Sequence, residues 1–212
     1  MKNRQFFSQY KYFAGSPVDL VLPLGNPLEA IIRPVATEKQ KINPRDVALL
    51  SAWRNRFVKS FLTEFHAHDR RTTSWLIDNV GNDPGKILFM IDTLEKKTIG
   101  HIGLGFINWQ TGYVEADAIV RGGNARKGLM KDALQLLLQW AKTTLGLDDT
   151  WVRVRSDNPA VLFYEKVGFV EKKRVPIMEK KNDGNSVWTE DPHADRQGPA
   201  LVYMKYTHPN CP

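Results

Sequence analysis

The chain has 212 residues, with 30 Lys and Arg against 23 Asp and Glu, and a formal net charge of +7. Hydrophobic residues at 42% and charged residues at 25% describe an ordinary globular protein long enough for one domain with a proper core. No apolar run approaches the ~20 residues that span a bilayer. The start, MKNRQFFSQYKYFAG, lacks the apolar core of a signal peptide, and the single cysteine, Cys211, excludes an internal disulfide, so a cytoplasmic protein is expected. The basic balance favours an acidic partner such as a phosphorylated cofactor, a nucleotide or RNA. The basic residues are scattered, however, and no nucleic-acid-binding signature accompanies them, which argues against RNA and DNA.

In chain order, residues 1–28 read as an N-terminal extension. Phe6, Phe7, Tyr10, Tyr12 and Phe13 need something to pack on, while Pro17, Pro23 and Pro27 interrupt any long element. A strap across the protein's own surface is expected, with a dimer arm as the alternative. AIIRPV, from Ala30, predicts a strand with Pro34 at its edge or end. Val47, Leu50, Trp53 and Phe57 then outline an amphipathic helix, and a second helical piece is expected over Thr73 to Val80. His66, His68 and Asp69 have metal-ligand chemistry but not the spacing, since i and i+2 leave a helix on different faces. They are expected to be solvated, with no metal.

Lys86 to Asp92 and Thr98 to Trp109 predict antiparallel strands, and the turn at Gln110-Thr111-Gly112 leads to a third over Tyr113–Val120. Next comes the most informative stretch, AIVRGGNARKGLM, Ala118 to Met130. A short apolar strand enters a turn on Gly122 and Gly123, and a long helix opens just after Gly128. In that helix Met130, Ala133, Leu134, Leu137, Ala141 and Leu145 recur at helical spacing, and Gly146 marks its end. Free N–H groups and the helix dipole make such a start a candidate anion site, with Arg121, Arg126 and Lys127 adding charge. It is not a P-loop, because no Lys-Ser/Thr pair follows the last glycine.

Thr150 to Arg155 predicts a strand parallel to Tyr113–Val120, joined by a right-handed crossover. Asn158-Pro159 caps and starts a short helix that ends at Gly168. Phe169 to Val175 and Ala200 to Tyr206 predict an antiparallel pair. Between them lie about two dozen mostly polar residues, including Asn182-Asp183-Gly184, which read as a long loop: a lid, a binding loop or a disordered segment.

Three stretches resemble the GNAT acetyltransferase superfamily: IIRPV with VALLSAWRN, VRGGNARKGLM, and VRSDNPAVLFYEKVGF, whose Asn158, Tyr164, Gly168 and Phe169 match the family pattern. The resemblance runs from about Glu29 to Tyr206 and implies a GNAT domain over 29–212. The implied fold is α/β, with a mixed sheet of about seven strands, flanking helices and a splayed pair of parallel central strands. It also implies acetyl-CoA as co-substrate, with the pantetheine arm pairing with the main chain of Ala118, Ile119 and Val120. The diphosphate would meet Arg126, Lys127, Gly128, Leu129 and Met130, and Asn158 would touch the arm. Ala125 and Met130 depart from the usual loop residues.

Acetyl transfer needs a proton acceptor for the ammonium and an acid for the leaving thiolate. The resemblance assigns the acid to Tyr164, and Glu115 is the first choice of base, with Asp117 and His101 behind it. The Trp53-Arg54-Asn55 segment resembles enzymes that acetylate nucleotide-linked amino sugars or protein N-termini. A small-molecule amine of the first kind is expected, with N-terminal acetylation or a non-catalytic CoA-binding module as alternatives. A homodimer is compatible with the sequence.

Overall fold

A computed structural model describes residues 2–16, 20–182, 184–195 and 197–207; Pro17, Asp183 and Cys211 lie outside them. Among the described residues, ten strands form one sheet. In chain order they are β1 (Leu22–Leu24), β2 (Ala30–Pro34), β3 (Thr63–Glu64), β4 (Ile87–Thr93), β5 (Thr98–Asn108), β6 (Tyr113–Arg121), β7 (Asp149–Arg155), β8 (Phe169–Asn182), β9 (Asn185–Glu190) and β10 (Ala200–Tyr206). Across the sheet the order is β1-β2-β4-β5-β6-β7-β10-β8-β9-β3. Every pair is antiparallel except β6 and β7, the pair that the crossover rule makes parallel.

Helices α1 (Lys2–Phe13) and α4 (Leu129–Leu145) cover one face, while α2 (Pro44–Arg56) and α3 (Asp69–Trp75) cover the other. Strand alternation sorts β4 between them. Phe89 and Ile91 pack with Leu134, Leu137 and Trp140, while Leu88 and Met90 pack with Val47, Leu50, Trp53 and Val80. The crossover helix α4 follows its apolar stripe and stops where Gly146 takes φ +70°, with the Leu147 N–H returning to the Ala141 carbonyl. Helix α2 starts at Pro44 under an Asn43 cap, whose side chain accepts from the Arg45 N–H.

Three regions differ from expectation. The N-terminal segment contains a helix, α1, and a short strand, β1. Phe7 and Tyr10 enter the main core, and Lys11 Nζ donates to the carbonyls of Val80, Gly81 and Asp83 at 2.6–2.8 Å. The second helical piece begins earlier than Thr73, because His68 caps it by accepting from the Arg71 N–H, and it continues as a π-helical turn over Leu76–Gly81. The presumed long loop is a hairpin of β8 and β9, to which β3 adds at the outer edge. Both of its faces keep polar residues, so no apolar alternation betrays it. Two of the three strands beyond the expected seven come from this hairpin and β3, and the third is β1.

Candidate active site

Strands β6 and β7 pair only through Tyr113–Glu115 and Asp149–Trp151, and then part. Beyond that point β6 keeps its other neighbour, β5, but with a bulge: His101 faces Val120 and Gly103 faces Asp117, so Ala118 and Ile119 together oppose Ile102. Ala118 adopts φ +50°. The extra residue switches the alternation, placing Val114 and Ala116 in one core but Ala118 and Val120 in the other. The result is a cleft with a free edge of main chain along β6, the edge expected to pair with a pantetheine arm.

At the end of β6 the glycine turn has two packing reasons. A Cβ on Gly122 would lie 1.9 Å from Trp53 Cε2, so the indole lies directly on this residue. Arg121 braces the turn by donating to the carbonyls of Gly123 and Ala125. Gly128 takes φ +94° and no side chain caps helix α4 behind it; the Leu129 N–H returns to the Arg126 carbonyl, and the next N–H groups of the first turn are left for a ligand. Arg126 is held by Glu29 and Asp132, so its charge is largely spent on the protein, while Lys127 stays exposed. Met130 turns inward, only 8% exposed, with its sulfur 3.1 Å from where a Gly100 Cβ would be. The bulk that departs from the usual loop therefore fills space above Gly100 in the core.

Tyr164 projects from α5 (Ala160–Val167) and is buried. Its ring packs edge-on against Phe163 and Phe169 at 5.4 and 5.6 Å, and no described residue bonds its hydroxyl. Burial, with the Asp117 charge nearby, raises its pKa well above the usual phenol, so the hydroxyl keeps its proton. Asn158 accepts from the Ala160 N–H and donates to the Ser60 carbonyl, each at 2.9 Å, so its amide joins the helix start to the connector after α2.

Glu115 is buried; Tyr113 Oη donates to one oxygen at 2.5 Å and Arg153 Nε to the other at 2.7 Å. Asp117 pairs with Lys86 at 2.8 Å and also accepts from the Ala118 N–H. His101 is buried, stacks on Trp53 at 5.9 Å and donates from Nδ1 to the Ala118 carbonyl at 2.5 Å. Burial pushes its pKa down to about 4, so at neutral pH the ring is uncharged.

The α2 segment is largely committed to the fold. Trp53 is 6% exposed, and the Asn55 amide makes two hydrogen bonds with the Ala67 main chain. Arg54 donates to Thr63 and lies over the rings of Phe61 and Phe65. Arg71 covers Phe65 as well, 3.7 Å from its centroid against 4.3 Å for Arg54. Burial, with the charge of Arg71, pushes Arg54 down to about 10.

Sequence reasoning missed the cluster beside them. Glu64, buried, accepts from Lys59, Arg155 and Trp188, which joins the connector to β7 and β9 across up to 124 residues of chain. A cavity of about 310 Å³ lies between Thr63, Glu64, Phe65 and Arg71 on one side and residues 185–187 on the other. No spacing in the sequence connects these positions.

A mixed sheet with one splayed parallel pair and a glycine-led helix start defines an acyl-CoA-binding transferase fold. The model of the acetyltransferase (GNAT) domain family matches residues 40–170, and the chain belongs to that family of acetyl-CoA-dependent N-acetyltransferases. No curated protein matches the sequence. Among solved structures, spermidine N-acetyltransferase from Vibrio cholerae in complex with CoA and spermine is similar at 19% identity and a TM-score of 0.61. It covers 83% of this chain and 95% of its own. Spermidine/spermine N-acetyltransferase SpeG from the same organism, in complex with manganese ions, is 20% identical with a TM-score of 0.57, covering 84% and 91%. Likeness at this identity concerns the fold. Among the described residues no helix is long and apolar enough to cross a membrane, and no cluster of His, Cys, Asp or Glu is arranged to hold a metal.

Proposed function

We propose that this N-acetyltransferase acts on the primary amine of a small acceptor that also carries an anionic group, with a nucleotide-linked amino sugar as the class. The observation that carries this reading is the pair of guanidiniums on Phe65. The carboxylate whose charge acts on Arg54, Glu64, already serves Lys59, Arg155 and Trp188, and among the described residues none pairs with Arg71. Arg71 at the wall of the cavity, with the charge of Arg54 behind Phe65, suits phosphate or carboxylate and repels a polyamine. The spermine held by the similar structure is therefore not the acceptor assigned to this chain.

Acetyl-CoA supplies the activated acyl group. The N–H groups of Gly128 and Met130, with Lys127, hold its diphosphate, and the edge of β6 at Ile119 and Val120, beyond the committed main chain of Ala118, holds its arm. Asn158 fixes the start of α5, and with it the position of Tyr164. Tyr164 keeps a proton at Oη for the departing sulfur. Glu115 takes the ammonium proton through water, since each of its oxygens retains an acceptor position beyond the bonds to Tyr113 and Arg153. The location expected is the cytoplasm, where acetyl-CoA is available.

The test is thiol release from acetyl-CoA with amino-sugar nucleotides, aminoglycosides, spermidine and N-terminal peptides as acceptors. Turnover of a sugar nucleotide, with KM raised about tenfold or more in Arg71→Ala, supports the reading, because a lost charged hydrogen bond costs ~1.5–3 kcal/mol. Turnover confined to peptides or to spermidine overturns it. Binding of acetyl-CoA without thiol release in any mixture points to a non-catalytic module.

A further inference from the structure

We propose that the cavity between the start of α2 and the turn joining β4 to β5 binds a small molecule carrying a phosphate monoester, with Arg45 and Lys96 gripping the phosphate. The cavity is about 320 Å³, at the lower end of the ~300–1,000 Å³ usual for small-ligand sites. None of its residues belongs to the cofactor cleft or to the cavity at Arg71, so its ligand is independent of the acetyl-transfer reading.

The floor is a closed ionic network. Arg33 on β2 donates from its two terminal nitrogens to Asp46 at 2.7 and 2.8 Å and from Nε to Asp92 at 2.6 Å. Asp46 is only 2% exposed, and both carboxylates are spent on Arg33. The mouth has no such balance. Arg45 on α2 and Lys96 on the turn are exposed there, and among the described residues no carboxylate pairs with either. Arg45 Nη2 instead donates to the Lys96 carbonyl at 3.5 Å, which holds the guanidinium against the residue that bears the ammonium. Lys41 is a third cation, tied to the Tyr12 carbonyl at 2.8 Å and shared with Glu38 at 3.1 Å. Cations held together repel one another unless an anion lies between them. A phosphate monoester, a dianion at neutral pH, offers two oxygens to the planar guanidinium and a third to the ammonium.

Lys96 is also strained. It closes the turn at φ +59°, with its N–H returning to the Thr93 carbonyl and the Thr93 N–H bonded to the Lys97 carbonyl. Glycine or asparagine takes that conformation at less cost, and no ion pair within the fold offsets it for the lysine. Strain of this kind points to a duty toward something outside the fold. The remaining walls suit the body of a polar ligand. Asn43 spends its oxygen on the Arg45 N–H and keeps its amide donors, and Thr98 adds a hydroxyl. Opposite them the segment after α1 closes the wall at Gly15, where a Cβ would lie 2.9 Å from Ala36 Cβ.

The test is calorimetric titration of ribose 5-phosphate, inorganic phosphate and ribose into protein saturated with acetyl-CoA, which occupies the diphosphate site. Ribose 5-phosphate should bind, inorganic phosphate more weakly, and ribose not at all. Arg45→Ala and Lys96→Asn should each weaken ribose 5-phosphate about tenfold or more while the Kd for acetyl-CoA holds. Lys96→Asn should also melt no lower than the wild type, because asparagine suits the turn; a lysine kept for stability would give the opposite. In ¹⁵N-labelled protein the Arg45 and Lys96 amides should move on addition of ribose 5-phosphate. The proposal is overturned by no binding, by an unchanged Kd in both variants, or by unmoved Arg45 and Lys96 amides at saturation. Inorganic phosphate binding the more tightly overturns the ester and leaves a site for an ion alone. Should Arg45→Ala not fold, Lys96→Asn decides by itself. A wild type that fails to bind acetyl-CoA refutes the acetyl-transfer reading instead, and the two amides in the free protein still decide this site.

Discussion

Replacing Tyr164 by Phe removes one oxygen and nothing else of consequence. The hydroxyl has no partner among the described residues, so no donor or acceptor is stranded by its loss. The ring contacts with Phe163 and Phe169 remain, and stability should change by less than ~1 kcal/mol, a melting shift within ~4 °C for a chain of this size. The chemical effect should be large. Burial and Asp117 keep the phenol protonated, so the wild type always carries the proton that the leaving sulfur requires. Loss of a positioned general acid costs ~10²-fold or more in kcat, about 2.7 kcal/mol of transition-state stabilisation, with both KM values little changed. Steady-state thiol release at saturating acetyl-CoA measures it, beside a thermal melt of the same preparation. A folded Tyr164→Phe enzyme with near wild-type kcat would refute the acid assignment and leave Tyr164 as a packing residue.

Gly128→Glu should abolish acetyl-CoA binding: φ +94° strains any side chain there, and a carboxylate would oppose the diphosphate. Calorimetry giving an unchanged Kd in the folded variant removes this helix start as the site. Lys11→Met deletes three hydrogen bonds from a charged donor and should cost ~1.5–3 kcal/mol, read as a lower urea midpoint; no change would mean that α1 is held by Phe7 and Tyr10 alone. His101 makes stability depend on pH. Its folded pKa of about 4 lies below the ordinary 6.5, so between those values the unfolded chain binds the extra proton. Stability is fully present above pH 6.5 and falls toward pH 4, by about 3 kcal/mol over the window. Asp117 and the Ala118 carbonyl oppose the shift, and Arg54 adds to it. Urea unfolding at pH 7.5 and 4.5 should show this loss in the wild type and less of it in His101→Phe; equal losses in both would assign the dependence to other groups.

The centre of the fold was legible because its elements bury one face each. The apolar stripe of α4, the runs of β4 and β5 and the closing Gly146 all repeat at the period of their own structure. The hairpin of β8 and β9 was not, because polar residues on both faces erase the period-two signal. Helix α1 was hidden for a related reason: its few apolar residues are spaced among Lys, Arg, Asn and Gln, and their partners lie on α4 and β4, far along the chain. The cofactor end of the site could be read from AIVRGGNARKGLM since all its residues are consecutive. The acceptor end could not, because Glu64 meets Arg155 and Trp188 only once the connector after α2 folds over the end of β7.

The bulge at Ala118 explains why one chemical site draws on both cores. Without an extra residue, β6 would keep Ala118 on the face of Ala116, and Val120 would point toward α4. With it, Ala118 and Val120 join Trp53 and Leu50 beneath α2, while Ile119 packs on the opposite core. The same step turns the Ala118 carbonyl toward His101, beyond the point at Glu115 where β6 and β7 have already parted. No glycine or proline flags the position, and Ala-Ile-Val reads as plain strand. The strain is held by Asp117 on one peptide and His101 on the next, two polar residues that a sequence reading ranks as spare bases. The placing of buried His101 and half-buried Asp117 beside an apolar strand is better explained by that duty than by proton transfer, since each already spends its near-side atom on the backbone of Ala118.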